Sequence, residues 1–219
     1  MYSVNKELII RSSSEAVDFA LLKDGKLIEL HKEQETSNFQ VGDIFIAKIR
    51  KPVAGLNAAF VNVGYEKDAF LHYHDLGPNL ASQLKFIKLV SAGKIKDFSL
   101  KNFQFEKEID KDGTITDVLN ANQSVLVQVV KEPISTKGPR ISAELSLAGR
   151  FIVLVPFSDR VSISQKIEDK KEKDRLKKLV QSIKPKGFGV IVRTVAEGKN
   201  TAELEKDLQN LLSRWTAMC

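Results

Sequence analysis

The sequence predicts an α+β protein of more than one domain, in which a small β-barrel is inserted between an N-terminal β-hairpin and a C-terminal α/β module. Three observations carry this prediction. Short alternating apolar segments separated by glycine run through residues 39–72 and return at residues 123–132. After residue 140, strongly apolar segments alternate with amphipathic helical ones. A polar stretch, HKEQETSN at residues 31–38, reads as a linker.

The N-terminal hairpin, assigned to residues 1–36, is predicted from two strand-like runs, ELIIR and VDFALL. The turn KDGK at residues 23–26 contains the Asp-Gly pair that favours a tight reversal. The run KLIEL then continues antiparallel to the preceding strand.

The barrel is assigned to residues 37–137. Its first part has glycines at positions 42, 55 and 64, so strand, turn, strand is the economical interpretation. Apolar and polar residues alternate in the segment QSVLVQVVKE, which predicts a last strand. Five short strands of this kind fit a Greek-key barrel, the OB-fold.

An insertion at about residues 75–117 interrupts the barrel. It begins with a helix-like run, LASQLKFIKLV, and is rich in lysine, with phenylalanines at positions 86, 98, 103 and 105. Two interpretations remain open. The insertion is solvated with aromatics that pack on the barrel, or it contacts RNA directly.

The C-terminal module is assigned to residues 138–219. RISAELSLAG, RFIVLVPF and GFGVIVRT read as strands, and the second is so apolar that both of its faces should be covered. An amphipathic helix lies between the last two. The final helix is predicted to begin with Asn200 as its cap and Glu203 three residues on. Its apolar stripe runs to the last residues, so we expect the natural protein to continue.

Composition narrows the function classes. Lys and Arg exceed Asp and Glu by 34 to 28, and the resulting charge of +6 is compatible with nucleic acid without proving it. The single cysteine, Cys219, excludes a disulfide framework and a cysteine-based zinc site. No apolar run approaches the roughly 18–20 residues of a membrane helix. A cytoplasmic protein is therefore expected.

The candidate phosphate site is Arg193-Thr194, where a buried strand ends just before a helix. A guanidinium presents a planar fork of donors that matches phosphate oxygens, and a hydroxyl can complete the cradle. The alternative is an arginine paired with a surface carboxylate and a threonine that merely ends the strand.

Two further constellations have competing interpretations. Phe60 and Phe70 would lie on neighbouring barrel strands, where exposed rings offer a surface for base stacking, but both could equally be core residues. HYHD at residues 72–75 has metal-like residue types. No third group of ligands accompanies it, so a loop is favoured and no metal site is predicted in this chain.

These segments resemble the bacterial endoribonucleases of the ribonuclease E/G family. The resemblance is carried, in order, by LNAAFVNVG, KDAFLH, STKGPR…SLAG, IVLVP, SISQKIED and above all GFGVIVRTVAEGKN, followed by a helix ending LLSRW. It covers nearly the whole chain. The insertion matches poorly and resembles a lineage-specific enlargement of the barrel.

The resemblance implies a role for each part of the chain. The hairpin would belong to an RNase H-like subdomain, the barrel would be the S-one RNA-binding domain, and the C-terminal module would be a 5′ sensor for monophosphorylated RNA. By position, Arg193 and Thr194 would hold the 5′-monophosphate. Gly149 and Val153 would shape the pocket around the terminal nucleotide.

The resemblance also assigns Phe60, Phe70 and Lys137 to contacts that hold RNA near the cleavage site. One departure is Gln165 in SISQKI, where family members often have arginine, which puts a secondary phosphate contact in doubt. The family's catalytic DNase I-like subdomain, with magnesium-binding carboxylates and then a zinc-linking cysteine motif, would lie downstream. No catalytic residue is therefore expected in this chain, which should bind RNA without cutting it.

The implied whole protein is a single-strand-specific, Mg²⁺-dependent endoribonuclease of RNA processing and decay, acting on ribosomal and messenger RNA in the cytoplasm. A homo-oligomer is implied for the full-length enzyme, while the oligomeric state of this chain and the identity of its RNAs stay open. The alternatives are a non-catalytic OB-fold RNA-binding adaptor or translation-associated factor, and a scaffold that only mediates oligomerisation.

Overall fold

The computed structural model describes residues 5–13, 16–34, 39–134 and 137–219, and it leaves the side chains of residues 33 and 34 undescribed. The chain divides into two compact units, Met1–Gln40 and Val41–Cys219. The boundary predicted between residues 36 and 37 lies outside the described residues.

The N-terminal unit is a three-stranded antiparallel sheet in the order β1-β2-β3. Its strands are β1 (Lys6–Ser12), β2 (Ala16–Lys23) and β3 (Lys26–Gln34). The Asp-Gly turn between β2 and β3 is confirmed, since Asp24 and Gly25 both have positive φ, 50° and 76°. Six large apolar side chains of this sheet are more than half exposed: Leu8, Ile9, Ile10, Leu27, Ile28 and Leu30.

The second unit begins with the predicted barrel, which is confirmed as a closed five-stranded structure in the order β4-β5-β6-β8-β7. Its strands are β4 (Ile44–Val53), β5 (Ala58–Asn62), β6 (Ala69–His72), β7 (Ser124–Lys131) and β8 (Arg140–Ser142). Inward positions alternate along the strands, with Ile49, Val61 and Leu71 fully buried. The arrangement is consistent with an OB-like fold.

The strand that closes the barrel corrects one prediction. The sequence RISAELSLAG reads as one strand of the α/β module, but its beginning pairs with β6 and β7 instead. Ile141 is fully buried in the barrel, so the strand satisfies its apolar side chain there. Only a later piece, β9 (Leu147–Ala148), joins the α/β sheet.

The insertion forms the predicted helix, α1 (Leu80–Ser91), and a single later turn, α2 (Ile115–Val118). The aromatic side chains of the insertion pack differently from the expectation. Phe86 is buried in a cluster with Phe157 and Trp215, at ring centroid distances of 5.3 and 5.9 Å, so the insertion packs against the α/β module. Helix α1 also contacts β7 of the barrel, and Leu126 of that strand belongs to the same buried cluster.

The α/β module has a four-stranded sheet in the order β11-β12-β10-β9, in which only β11 and β12 are parallel. The remaining elements are β10 (Ile152–Pro156), β11 (Val161–Ile163), β12 (Phe188–Val192), α3 (Lys170–Ile183) and α4 (Thr201–Met218). The predicted cap of α4 is confirmed, because Asn200 and Glu203 form a reciprocal capping box.

One face of this sheet packs on the helices, where Leu154 and Val192 are fully buried. The opposite face is less covered than the apolar sequence of RFIVLVPF predicts. Val153 is half-buried, and its register partner Ile191 is 43% exposed. The sheet therefore presents a partly apolar surface that ends at Arg193.

Trp215 of α4 joins the insertion to the module. Its ring is fully buried against Phe86, Phe157 and Phe188, and its Nε1 donates a hydrogen bond of 2.7 Å to the backbone carbonyl of Phe98. A buried indole with a satisfied N–H combines a large apolar area with a directional contact.

Replacing this indole should destabilise the second unit strongly. Trp215→Ala should lower the free energy of unfolding by about 3–5 kcal/mol, because it leaves a large cavity. Met218→Ala, on the same helix at a 37% exposed position, is the control and should cost far less. Urea unfolding followed by circular dichroism measures both. Equal effects would contradict the assigned role of Trp215.

Candidate nucleic-acid interfaces

The segment that carries Arg193 and Thr194 leaves β12 and turns at once. The backbone N–H of Arg193 donates to the carbonyl of Phe151 at 2.9 Å, so the β10–β12 pairing extends to this residue. Thr194 then begins a single 3₁₀ turn, Thr194–Ala196, ahead of α4. The arginine is consequently held at the rim of the sheet by its backbone.

The guanidinium of Arg193 is exposed and bonded to backbone carbonyls. Nη1 donates to the carbonyl of Gly149 at 2.7 Å and more weakly to that of Arg150 at 3.4 Å. Among the described residues, no carboxylate forms an ion pair with it. A guanidinium has five N–H donors, so most of them remain available to an anion.

The hydroxyl of Thr194 lies 3.0 Å from that of Ser164. Ser164 is anchored by its own backbone N–H, which donates to the carbonyl of Val192 at 2.8 Å. The next residue, Gln165, is exposed. Sequence reasoning missed Ser164, although the matching segment SISQKIED contains it, because only the parallel pairing of β11 with β12 brings the two hydroxyls together.

A loop at residues 149–152 borders Arg193, and Asp207 of α4 holds it. The Asp207 carboxylate accepts hydrogen bonds from the N–H groups of Arg150, Phe151 and Ile152, at 3.1, 2.7 and 3.1 Å. A side chain at Gly149 would bring its Cβ within 2.6 Å of this carboxylate. Glycine is therefore required there for close approach, and Asp207 is a second residue that the sequence did not reveal.

The remaining residue that the resemblance assigns to this pocket is Val153. It follows the loop in β10 and pairs in register with Ala148 and Ile191. Its side chain is half-buried on the open face of the sheet. The four residues that the resemblance assigns to the 5′-monophosphate site thus lie at one end of the four-stranded sheet: Arg193, Thr194, Gly149 and Val153.

Two more cations surround the same loop. The Arg150 guanidinium lies 5.1 Å from the ring centroid of Phe151, and the Lys199 ammonium lies 5.4 Å from it. Lys199 also pairs with Glu203 at 3.0 Å, and that contact is the first cause of the lowered pKa of Glu203. Together with Arg193, these groups make the loop a locally basic surface.

The turn that follows Thr194 is tied to α3 by an ion pair between a partly buried Glu172 and an exposed Arg175. Glu172 accepts two hydrogen bonds of 2.7 Å from Arg175 and one of 2.8 Å from the backbone N–H of Gly198. Arg175 also donates to the carbonyl of Lys199 at 2.9 Å. The hydrogen bonds from Arg175 and then from Gly198 lower the pKa of Glu172 to about 2.

The outer face of the barrel carries a row of residues in register. Lys51 of β4 pairs with Phe60, Phe60 with Phe70, Phe70 with Arg140, and Arg140 with Lys131 of β7. The two phenylalanine rings meet edge to face at 6.1 Å. Phe60 is 36% exposed and Phe70 is half-buried, so this pair lies on the surface between cations rather than in the core.

Lys137 lies in the segment that leads into β8. It is exposed and precedes Gly138, where an added Cβ would come within 2.3 Å of the carbonyl oxygen of Asp68. The carbonyl of Pro139 then accepts a hydrogen bond from the N–H of Phe70 at 3.1 Å. This close backbone approach brings Lys137 to the strand that carries Phe70.

The lysines of the insertion are a separate basic surface. Lys85, Lys94 and Lys96 line a cavity of about 350 Å³ whose apolar wall includes Phe86 and Phe103. Lys85 pairs with Glu106 at 2.7 Å. Lys94 and Lys96 are exposed and form no ion pair with the described residues.

Within residues 5–13, 16–34, 39–134 and 137–219, no group of three or more His, Cys, Asp or Glu side chains could hold a metal ion. None of the helices in this described part of the chain has both the length and the apolar character needed to cross a membrane.

The fold defines the class of protein, which is an α+β protein with an OB-like barrel and an attached α/β module. Comparison with known sequences then shows what the chain is similar to. The Ribonuclease E/G family profile matches residues 146–219. The chain is 33% identical over 210 residues to Ribonuclease G of Escherichia coli strain K12, which covers 96% of this chain and 39% of that protein. The resemblance to the ribonuclease E/G family is confirmed.

Two further relatives agree. Ribonuclease E of Nostoc sp. strain PCC 7120 is 37% identical over 184 residues, covering 84% of this chain and 23% of the relative. Ribonuclease G of Haemophilus influenzae is 32% identical over 209 residues, covering 95% and 39%. The chain therefore spans well under half the length of these relatives.

The Glu172 contact makes a pH-dependent contribution to stability. A carboxylate whose pKa is lower in the folded chain stabilises it above the unfolded pKa, and this contribution is lost as the pH falls toward the folded value. Glu172→Gln should therefore lower the free energy of unfolding at pH 7 by about 1.5–3 kcal/mol. The difference from wild type should shrink as the pH falls from about 4.5 toward 2.

Chemical unfolding at a series of pH values measures this difference. Glu205→Gln removes an exposed carboxylate from α4 and serves as the control, with little effect at any pH. A Glu172→Gln deficit that is independent of pH would contradict an electrostatic role for this group.

Proposed function

We propose that this chain is the RNA-recognition part of a single-strand-specific endoribonuclease and that Arg193 binds a 5′-monophosphate. The observation that carries the proposal is the state of the Arg193 guanidinium. It is exposed, oriented by the carbonyl of Gly149, and paired with no carboxylate among the described residues. An arginine whose orientation is fixed while its charge is not paired with a carboxylate is suited to binding an anionic ligand.

The chemistry of the pocket favours a chain end over an internal phosphate. A terminal phosphomonoester carries about −1.5 to −2 charges at neutral pH, whereas an internal phosphodiester carries only one. Arg193 would donate to two of its oxygens, and the paired hydroxyls of Thr194 and Ser164 would supply further donors. Gly149 and Val153 would border the terminal nucleotide, and a triphosphate would exceed the space for one phosphate.

The barrel would hold the strand away from its end. Phe60 and Phe70 would stack on bases, and Lys51, Lys131 and Lys137 would meet the neighbouring phosphates. Base stacking on aromatic side chains is worth about 1–3 kcal/mol per base and tolerates any sequence. This mode of binding agrees with a preference for single-stranded RNA of varied sequence.

The layout of the whole protein is part of the proposal. Residues 1–36 would belong to an RNase H-like subdomain, the barrel as far as β8 to the S-one domain and the rest of the chain to the 5′ sensor. The exposed apolar side chains of the N-terminal sheet support the first assignment, because such surfaces usually pack against another part of a protein.

Hydrolysis would be performed by a region of the whole protein that corresponds to the part of the relatives not matched by this chain. Mg²⁺ bound there would activate the attacking water, and a zinc site is part of the same expectation. The 5′ sensor and the barrel would position the scissile bond. The chain alone would bind RNA without cutting it, and the whole protein would act in the cytoplasm as a homo-oligomer in RNA processing and decay.

Removing the guanidinium tests the sensor. Arg193→Ala should weaken binding of a 5′-monophosphorylated oligonucleotide about 10- to 100-fold, because it removes charge-assisted hydrogen bonds worth roughly 1.5–3 kcal/mol. Binding of the 5′-hydroxyl version should hardly change. Fluorescence anisotropy with oligonucleotides that differ only at the 5′ end measures both affinities.

Arg160→Ala is the matched control for loss of a positive charge, because Arg160 is an exposed arginine already paired with Glu108 at 2.9 Å. It should leave both affinities close to wild type. Equal wild-type affinity for the two 5′ ends, or an equal loss in both variants, would refute a 5′-phosphate site at Arg193.

Salt dependence tests whether the insertion touches RNA. Each phosphate contact on single-stranded nucleic acid adds about 0.7 to the slope of log affinity against log salt. If Lys94 and Lys96 each meet a phosphate, changing both to glutamine should reduce that slope by about 1.4. The control changes Lys177 and Lys178, two exposed lysines of α3, in the same way. An unchanged slope in the insertion variant would leave its lysines without a role in RNA binding.

A further inference from the structure

The cavity of about 350 Å³ in the insertion lies between α1 and the segment of residues 94–104. All of the described residues that line it come from this helix or this segment. We propose that this insertion cavity binds one unstacked nucleobase, adenine in preference to uracil, together with an adjoining phosphate. The proposal deepens the proposed RNA-binding function of the chain and rests on it.

The chain reverses direction at the end of α1 and returns across the same helix. Gly93 permits the reversal, because its φ is 67°. The backbone N–H of Lys94 then donates to the carbonyl of Leu89 at 2.9 Å. At the other end of the segment, Nζ of Lys85 donates to the carbonyl of Gln104 at 2.9 Å. The segment is therefore held against α1 near both of its ends, and the cavity lies between them.

Helix α4 fixes the middle of this segment. Nε1 of Trp215 donates its hydrogen bond of 2.7 Å to the carbonyl of Phe98. Leu100, two residues later, is 2% exposed and has a φ of 57°, which is uncommon for a residue with a bulky side chain. Such a conformation persists only where the surrounding structure enforces it, and it is frequent at ligand sites. The wall that contains Leu100 is therefore formed before any ligand binds.

The depth of the cavity is apolar and aromatic. Phe86 is buried, and the half-buried ring of Phe103 meets it edge to face at a centroid distance of 5.9 Å. The ammonium of Lys85 lies 5.7 Å from the centroid of the Phe103 ring and limits its movement. Aromatic walls of this kind suit the flat face of an unstacked base. The volume is at the lower end of the range for small-ligand pockets.

Polar groups at the cavity can select the base. Asn102 and Gln104 line it and are exposed, and their side-chain amides form no hydrogen bond with the part of the chain that the structure describes. A carboxamide offers a donor beside an acceptor, which matches N7 and the N6 amino group of adenine. The amides therefore provide a reading edge next to the aromatic wall.

Asp97 adds a second preference for an amino group. Its carboxylate accepts hydrogen bonds from the N–H and the hydroxyl of Ser99, at 2.9 and 2.8 Å. These bonds, the backbone one first, lower the pKa of Asp97. An ionised carboxylate only accepts hydrogen bonds and retains further lone pairs. It would attract the amino group of adenine and repel the carbonyl oxygens of uracil.

The positive charges that line the cavity exceed the negative ones. Lys85 is paired with Glu106 at 2.7 Å, but Lys94 and Lys96 are exposed and unpaired within the described residues. Two free ammonium groups beside an apolar pocket suit a nucleobase that carries a phosphate. An RNA strand and a free nucleotide both present this combination, so the experiment has an arm for each.

Removing the amides tests base selection. The wild-type chain should bind a 5′-hydroxyl oligoadenylate about 5-fold or more tightly than the oligouridylate of equal length. The paired substitution Asn102→Ala and Gln104→Ala should abolish this preference, and it alters only exposed positions, so the fold should be kept. The matched control is Gln209→Ala with Asn210→Ala on α4, which should retain the preference. Fluorescence anisotropy measures the affinities, and thermal melts check folding.

A second arm distinguishes a free nucleotide from a strand. Adenosine monophosphate is titrated into the Arg193→Ala chain, so that the proposed sensor does not contribute. Saturable binding that is lost when the paired amide substitution is added would show that a free nucleotide is also a ligand of the cavity. Preference for oligoadenylate without nucleotide binding would assign the cavity to a strand.

Two results would overturn the inference. One is equal wild-type affinity for the two oligonucleotides, and the other is an adenine preference that survives loss of both amides. Either result would leave the proposed roles of the barrel and of Arg193 intact, since 5′-hydroxyl RNA would still bind. Failure of the wild-type chain to bind both oligonucleotides would refute the proposed RNA-binding function as well.

Discussion

The carboxylate of Asp207 accepts three successive backbone N–H groups, and the geometry of the C-terminal site depends on this contact. It joins α4 to the loop that begins at Gly149, and the carbonyl of Gly149 in turn receives Nη1 of Arg193. Because a carbonyl is neutral, it orients the guanidinium without cancelling its charge. Asp207 meanwhile uses its own charge on the backbone. The loop is thereby fixed by an anion while its rim stays basic.

Other carboxylates near the two candidate RNA surfaces are likewise paired within the protein. Glu172 is occupied by Arg175 and by the N–H of Gly198, and Asp75 is occupied by Arg140. These carboxylates tie loops and strands together and add little negative potential to the faces beside them. The excess of basic residues can therefore act at Arg193 and along the barrel. Structural ion pairs and a surface for anions are compatible in one small module for this reason.

The barrel surface depends on closure by β8. Arg140–Ser142 pairs with β6 and β7, and this completes the row in which Phe60 and Phe70 lie between cations. The insertion packs on both β7 of the barrel and the α/β module, where the ring of Phe86 meets that of Trp215. This packing joins the barrel and the α/β module within one compact unit. The two candidate RNA surfaces consequently belong to a single framework.

Local patterns in the sequence determined the elements and the principal candidate residues. The Asp-Gly turn at residues 24–25, the capping box of α4 and the strand that ends at Arg193 depend on neighbours within a few positions, so their signals are readable along the chain. Tertiary structure alone decided which partners these residues meet. Asp207 lies 55–57 positions from the amides it binds, and Thr194 lies 30 from Ser164. Contacts over such separations leave no period or spacing in the sequence, because only the packing of α4 and the pairing of β11 with β12 create them.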